Sequence, residues 1–206
     1  MLKANFDTEM ISVRLGMVFA KLGISPNAWT LISILPAIAG FVTLAFYRDL
    51  PISLLLFMAA GFIDAIDGAV ARVTRSVSAL GAFLDGIIDR YVEILLYIGL
   101  LFYLYPAEDF LLPNAFWVSL LIFGSMMPTY IRAYADHRKV VTESVAHKKM
   151  GGLLERAERL ILVYAGMLLG LYNTLWLVYV IAAAAILSNY TALQRLWFVV
   201  NYKTKE

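Results

Sequence analysis

Long apolar runs broken by short polar intervals dominate this chain. Runs of about 20 residues, the length a helix needs to cross a hydrocarbon core, fall at 27–47, 51–71, 80–105, 114–135, 156–172 and 174–197. The pattern predicts an all-α membrane protein with six transmembrane helices. Short outer turns such as Tyr172-Asn173-Thr174 make neighbours antiparallel, giving a compact bundle and one membrane domain over 1–206. Residues 1–25 instead mix Lys3, Asp7, Glu9, Arg14 and Lys21 with apolar positions and lack a small-residue cleavage site. They read as an amphipathic surface helix, not a cleaved leader. Proline marks helix starts at Pro26, Pro51 and Pro113, and lies inside spans at Pro36 and Pro128, where the missing donor should kink them.

Composition fits a membrane protein. The 206 residues are 62% apolar and 16% charged, with a mean hydropathy of +0.77, outside the range of ordinary soluble domains. The absence of cysteine excludes disulfides and thiolate metal sites. The net charge of +2 matters less than its distribution. With a cytoplasmic N-terminus, 16 of the 17 Lys and Arg lie on the inner side and only Arg48 on the outer. That agrees with the positive-inside rule and predicts a multi-pass cell-membrane protein whose connections near 72–78 and 136–155 are cytoplasmic.

Against this apolar background stand four acids, Asp64, Asp67, Asp85 and Asp89. Residues three or four apart share a helix face, so Asp64 and Asp67 project together from the second span, and Asp85 and Asp89 from the third. The segment between is long enough to turn at the membrane surface, which lets the pairs face each other. Four carboxylates converging at low dielectric need positive charge among them. Hard oxygen ligands with no cysteine point to Mg²⁺, Mn²⁺ or Ca²⁺, and two such ions would balance four acids and suit phosphoryl chemistry. The structural alternative pairs the acids with Arg72, Arg75 and Arg90, but intramembrane acids are expensive and usually functional. Gly61, Gly68, Gly81 and Gly86 would allow close approach of backbone or ligand.

The order Asp64-x2-Asp67-Gly68-x2-Ala71-Arg72-x8-Gly81-x3-Asp85-x3-Asp89 resembles the signature of the CDP-alcohol phosphatidyltransferases, and Pro26-Asn27-Ala28-Trp29-Thr30 resembles that family's Pro-Asn-x-x-Thr. The resemblance implies transfer of a phosphate-bearing group from a CDP-linked lipid or alcohol to a hydroxyl, with release of CMP. It implies metal ligation by Asp64, Asp67 and Asp85, with Asp89 contacting the second metal and serving as general base. It also implies a CDP-lipid site built from Asn27, Thr30, Gly68, Ala71, Arg72, Ser78 and Gly81.

Downstream, Arg132, Arg156, Arg159 and Lys148 are placed to form a second anion pocket for an acceptor that already carries a phosphate. Lys139, Lys203 and Lys205 read instead as bases for anionic head groups. Residues 154–159 resemble the Glu-Arg-x-Glu-Arg stretch of the phosphatidylinositol-phosphate synthase branch, which includes archaetidylinositol-phosphate synthases and implies inositol 1-phosphate as acceptor. Tyr134 and Ala157 depart from that branch's second arginine and its proline. Glycerol 3-phosphate would satisfy the same basic pocket, and a CDP-inositol donor is a further alternative. An ion transporter would need polar residues reaching both faces, and the outer halves of these spans are apolar. The expected partners are therefore a CDP-linked lipid, a phosphorylated alcohol and membrane lipids, not nucleic acid. Trp117, Phe123, Trp176 and Tyr179 are spare aromatics suited to a homodimer contact.

Overall fold

The computed structural model describes residues 8–143 and 149–202, and the regular elements among them are helical. In chain order they are α1 (Thr8–Ala20), α2 (Pro26–Val42) with a π-helical extension (Thr43–Tyr47), α3 (Leu50–Val73), α4 (Ala79–Leu104), α5 (Asn114–His137), α6 (Arg156–Gly170) and α7 (Thr174–Val200). Four are long and apolar enough to cross a membrane: Pro26–Tyr47, Leu50–Val73, Asn114–His137 and Thr174–Val200. Among the other expected spans, α4 has the length but carries Asp85, Asp89 and Arg90 in its first half and Glu93 just beyond. Helix α6 has 15 residues, about 22 Å of rise against a core of about 30 Å. The chain divides into two compact units at Gly99 and Leu100, inside α4.

Helix starts in the first unit follow local chemistry. Ser25 Oγ accepts from Ala28 N–H (3.3 Å) with Pro26 in the opening turn of α2, and Asp49 Oδ1 accepts from Ile52 N–H (3.0 Å) at the start of α3. Each cap satisfies a donor that the helix itself leaves unpaired. The first span is not one continuous α-helix, because α2 passes at Thr43 into the π turn, which ends at Arg48 with φ 55°. The turn after α3 decides the site. Val73 is its last residue, Arg75 takes the left-handed conformation (φ 55°), and Ser76 N–H closes back on Ala71 C=O at 3.0 Å. Ser78 then accepts from Gly81 N–H (3.0 Å) to open α4. The chain thus reverses within residues 74–78.

Helices α1 and α2 both pack on α3. Trp29, Ile66 and Val70 are buried there, packed with Phe19, Ile24, Ile32 and Ile63. Among the described residues the N-terminal helix ends at Ala20, short of the expected position 25, and residues 1–7 of that expectation lie outside them. It buries Gly16 and leaves Met10, Val13, Met17 and Val18 exposed.

In the second unit α7 packs on both α5 and α6. Apolar burial alone does not drive helices together in lipid, so small residues and hydrogen bonds matter more. Asn189 Nδ2 donates to Leu120 C=O (2.9 Å), beside Gly124. Thr191 Oγ accepts from Leu154 N–H (2.9 Å). At the α4–α5 hairpin, Asn114 Nδ2 reaches Leu104 C=O (3.2 Å) and Asp109 accepts from Asn114 N–H (2.9 Å). Trp117, expected as a spare surface aromatic, is buried here: its indole N–H donates to Phe110 C=O (2.8 Å), because a buried indole must satisfy its donor. Tyr179 packs on Phe110 yet stays exposed, as Phe123 and Trp176 do.

A Cβ at Gly124 would lie 2.9 Å from Ser188 Cβ and 3.0 Å from Asn189 N, while one at Gly61 meets nothing within 4 Å. Gly124→Ala should therefore destabilise by about 1–3 kcal/mol, read as a lower thermal midpoint in detergent. Gly61→Ala, where helix propensity alone acts, should leave the midpoint unchanged or raise it.

Candidate active site

The reversal at 74–78 lays the start of α4 against the end of α3, and rise per residue sets the depths. Asp67 and Asp85 each lie six residues from the turn, about 9 Å along their helices, and Asp64 and Asp89 one turn further in. Asp64, Asp67 and Asp85 each offer a carboxylate oxygen, and the three oxygens lie within 4.8 Å of one another. Asp67 is buried and the other two are half-buried. Oxygen ligands about 2.1 Å from Mg²⁺ stand about 3–4 Å apart in an octahedron, so this all-oxygen trio fits a small divalent cation after a slight inward turn. Asp89 is buried one turn beyond Asp85 and is not one of the three.

Thr30 of α2 donates its hydroxyl proton to Asp67 Oδ2. Asp67 is thereby fixed from a second helix, a link that its spacing from Asp64 does not suggest. Beside the acids opens a cavity of about 290 Å³, and every candidate for the CDP-lipid site lines it: Asn27, Thr30, Gly68, Ala71, Arg72, Ser78 and Gly81, together with Asp67 and Asp85. Gly81 eases that convergence, since a Cβ there would stand 3.1 Å from both Asn27 Oδ1 and Ser78 Oγ. The first turns of α2 and α4 both border the cavity. Their positive dipole ends favour an anion there. Arg72 lies across Gly68, and its Nη2 donates to Ser12 Oγ on α1 (2.6 Å). Deeper on α4, Glu93 is buried and accepts from Arg90 Nη1 (2.7 Å) and Tyr97 OH (2.8 Å).

The acceptor candidates belong to the second unit. Arg159 is fully buried on α6, Arg156 is half-buried one turn earlier, and Arg132 of α5 donates to Met150 C=O (2.8 Å). Lys148 lies outside the described residues. A further cation joins this group, buried Arg195 on α7, which donates to Pro128 C=O (2.8 Å) and to Glu155 Oε1 (3.2 Å). Its charge is opposed by those of Arg132 and Arg159 and answered by Glu155. The sequence signal for Arg195 was a lone arginine late in a long apolar span, which is costly unless it has work to do. Tyr134, standing where an arginine was expected, is exposed and stacks on Tyr130 at 5.5 Å, with the Arg138 guanidinium 6.0 Å above its ring.

Comparison with known proteins places this geometry. Residues 23–200 match the family described as CDP-alcohol phosphatidyltransferase. The chain is similar to the archaetidylinositol phosphate synthase of Aeropyrum pernix, 30% identical over 197 residues that cover 95% of this chain and 93% of that one. Its fold resembles that of the phosphatidylinositol phosphate synthase of Mycobacterium tuberculosis. The crystal structure of that protein with manganese and citrate has a TM-score of 0.79 at 24% identity, covering 92% of this chain and 89% of the other. The structure with CDP-DAG bound also has a TM-score of 0.79 at 24% identity, covering 93% and 94%. With its four long apolar helices and a family match that runs through both units, this chain is an integral membrane transferase and belongs to the CDP-alcohol phosphatidyltransferase family.

Proposed function

We propose that the protein transfers the phosphate-bearing lipid group of a CDP-linked lipid to a hydroxyl of inositol 1-phosphate and releases CMP. The observation that carries this reading is the cavity in which all seven nucleotide-site candidates meet Asp67 and Asp85. The acceptor rests on the buried arginines of the second unit and on similarity to an archaetidylinositol phosphate synthase. Arg132, Arg156, Arg159, Arg195 and Lys148 take the acceptor's phosphate, Arg by forked, charge-assisted hydrogen bonds.

In the reaction the acceptor oxygen forms a bond to the lipid-bearing phosphorus as the bond from that phosphorus to the CMP oxygen breaks. Asp89 takes the hydroxyl proton on a carboxylate oxygen. Asp64, Asp67 and Asp85, with Asp89, would hold two divalent ions, Mg²⁺ or Mn²⁺. When bound, such ions neutralise the diphosphate and the departing CMP charge. Thr30 keeps Asp67 turned inward, Asn27, Ser78 and Gly81 shape the nucleotide end of the cavity, and Arg72 meets the phosphate oxygens across Gly68 and Ala71.

The two units act as one catalytic domain, with α4 and α6 completing six spans and α1 lying at the membrane surface. The bias of Lys and Arg to one side of the spans supports a site at the cytoplasmic face, where a lipid tail can lie between helices while its head group reaches the acids. Exposed Phe123, Trp176 and Tyr179 are the aromatics left for a homodimer contact.

Purified protein given Mg²⁺ or Mn²⁺, a CDP-linked lipid and inositol 1-phosphate should release CMP, and EDTA should abolish it. Turnover with glycerol 3-phosphate but not inositol 1-phosphate would overturn the acceptor. Asp89→Asn should cost about 10²–10⁴-fold in kcat and leave CDP-lipid binding intact; full activity would remove Asp89 from its role. Arg159→Ala should raise KM for inositol 1-phosphate about tenfold or more with little change for CDP-lipid, whereas equal effects on both would make the arginine structural.

A further inference from the structure

Helix α1 lies outside the stretch that matches the family, yet it packs on the part of α3 that carries Gly68 and Arg72. At Gly16 a Cβ would collide with Ala69 C=O and stand 2.6 Å from Val73 Cγ2, so glycine is what lets these backbones come this close. Three residues on, the Phe19 ring meets Trp29 edge-on at 5.5 Å, next to Thr30. One turn before Gly16, Ser12 Oγ accepts the 2.6 Å hydrogen bond from Arg72 Nη2.

Arg72 lines the cavity, and its Nη1 lies 3.4 Å from where a Cβ on Gly68 would stand. A long guanidinium side chain that is loose before binding must be ordered when it meets a phosphate, which weakens the contact. Here the guanidinium is ordered beforehand, by the bare backbone of Gly68 beneath it and by Ser12 from a second helix. We infer that Ser12 is a positioning residue for the nucleotide: α1, docked through Gly16, holds the Arg72 guanidinium at the cavity wall, ready for the diphosphate oxygens. The inference rests on reading the cavity as the nucleotide site, and it makes the N-terminal helix part of that site.

The test uses full-length protein in nanodiscs and reads KM for a CDP-linked lipid, kcat, and equilibrium binding of CMP with Mn²⁺. Ser12→Ala should raise KM and weaken CMP binding about fivefold, with kcat within about twofold and an unchanged thermal midpoint, and Ser12→Thr should restore both. On an Arg72→Ala background, Ser12→Ala should add nothing, because the two residues act as one unit. If Ser12→Ala matches wild type while Arg72→Ala weakens CMP binding, or if the two effects simply add, the inference fails alone. If Arg72→Ala leaves CMP affinity intact, the nucleotide reading fails and takes the inference with it.

Discussion

Carboxylate repulsion is the constraint on which the site depends. At 4 Å and an effective dielectric of about 20, two unit charges oppose each other by roughly 4 kcal/mol, and Asp64, Asp67 and Asp85 bring oxygens within 4.8 Å of one another. Such a trio persists only if the fold forces it together and something answers the charge. The fold forces it through the short reversal at 74–78, where the left-handed Arg75, the Ser76 closure onto Ala71 and the Ser78 cap leave α4 little choice of where to begin. Part of the answer is in the chain itself, since the Thr30 hydroxyl donates to Asp67. For the rest, the all-oxygen donor set suits a divalent cation.

The same reversal gives the cavity its polarity. It places the opening turn of α4 beside that of α2, so two positive helix ends border the space next to the acids. A phosphate there meets partial positive charge from two helices, and a cation held by the acids would meet it from the other side. Neither half suffices alone: the helix ends are weak and screened within a turn, and the acids by themselves would repel an anion. Gly81 and Gly68 let the parts approach, the first by admitting Asn27 and Ser78 together, the second by leaving room for the Arg72 guanidinium.

Periodicity explains what was legible in the sequence. Acids three and four residues apart on long apolar helices announce themselves, because both the spacing and the cost of burial are local properties. The seven lining residues could be named in advance because the family resemblance fixed their positions along the chain. What escaped is set by contacts between helices. The Thr30–Asp67 hydrogen bond spans 37 positions, and Ser12 meets Arg72 across 60; no local pattern encodes either. The π turn at Thr43–Tyr47 is hidden inside an unbroken apolar run. Trp117 was misplaced because an aromatic near a helix start looks alike from sequence whether it faces lipid or donates to a loop carbonyl. Arg195 carried a readable signal, a lone charge in an apolar span, but without the fold it had no companions to give that charge a purpose.

Those companions make the second unit's arginines more than membrane anchors. A surface base that serves anionic lipid keeps its head in water, as snorkelling side chains do. Arg159 is 2% exposed and Arg195 6%, so both have given up most of their hydration. Backbone carbonyls of Pro128 and Met150 and the carboxylate of Glu155 recover part of it for Arg195 and Arg132. Arg132 and Arg159 lie close enough to oppose the Arg195 charge, which the Glu155 carboxylate answers. A cluster built only for packing would gain by replacing such cations with apolar residues of similar volume, since buried charge is retained at a cost to stability. Buried, oriented guanidinium groups of this kind suit a multiply charged anion that must be stripped of water and held, which is the role proposed for them toward a phosphorylated acceptor.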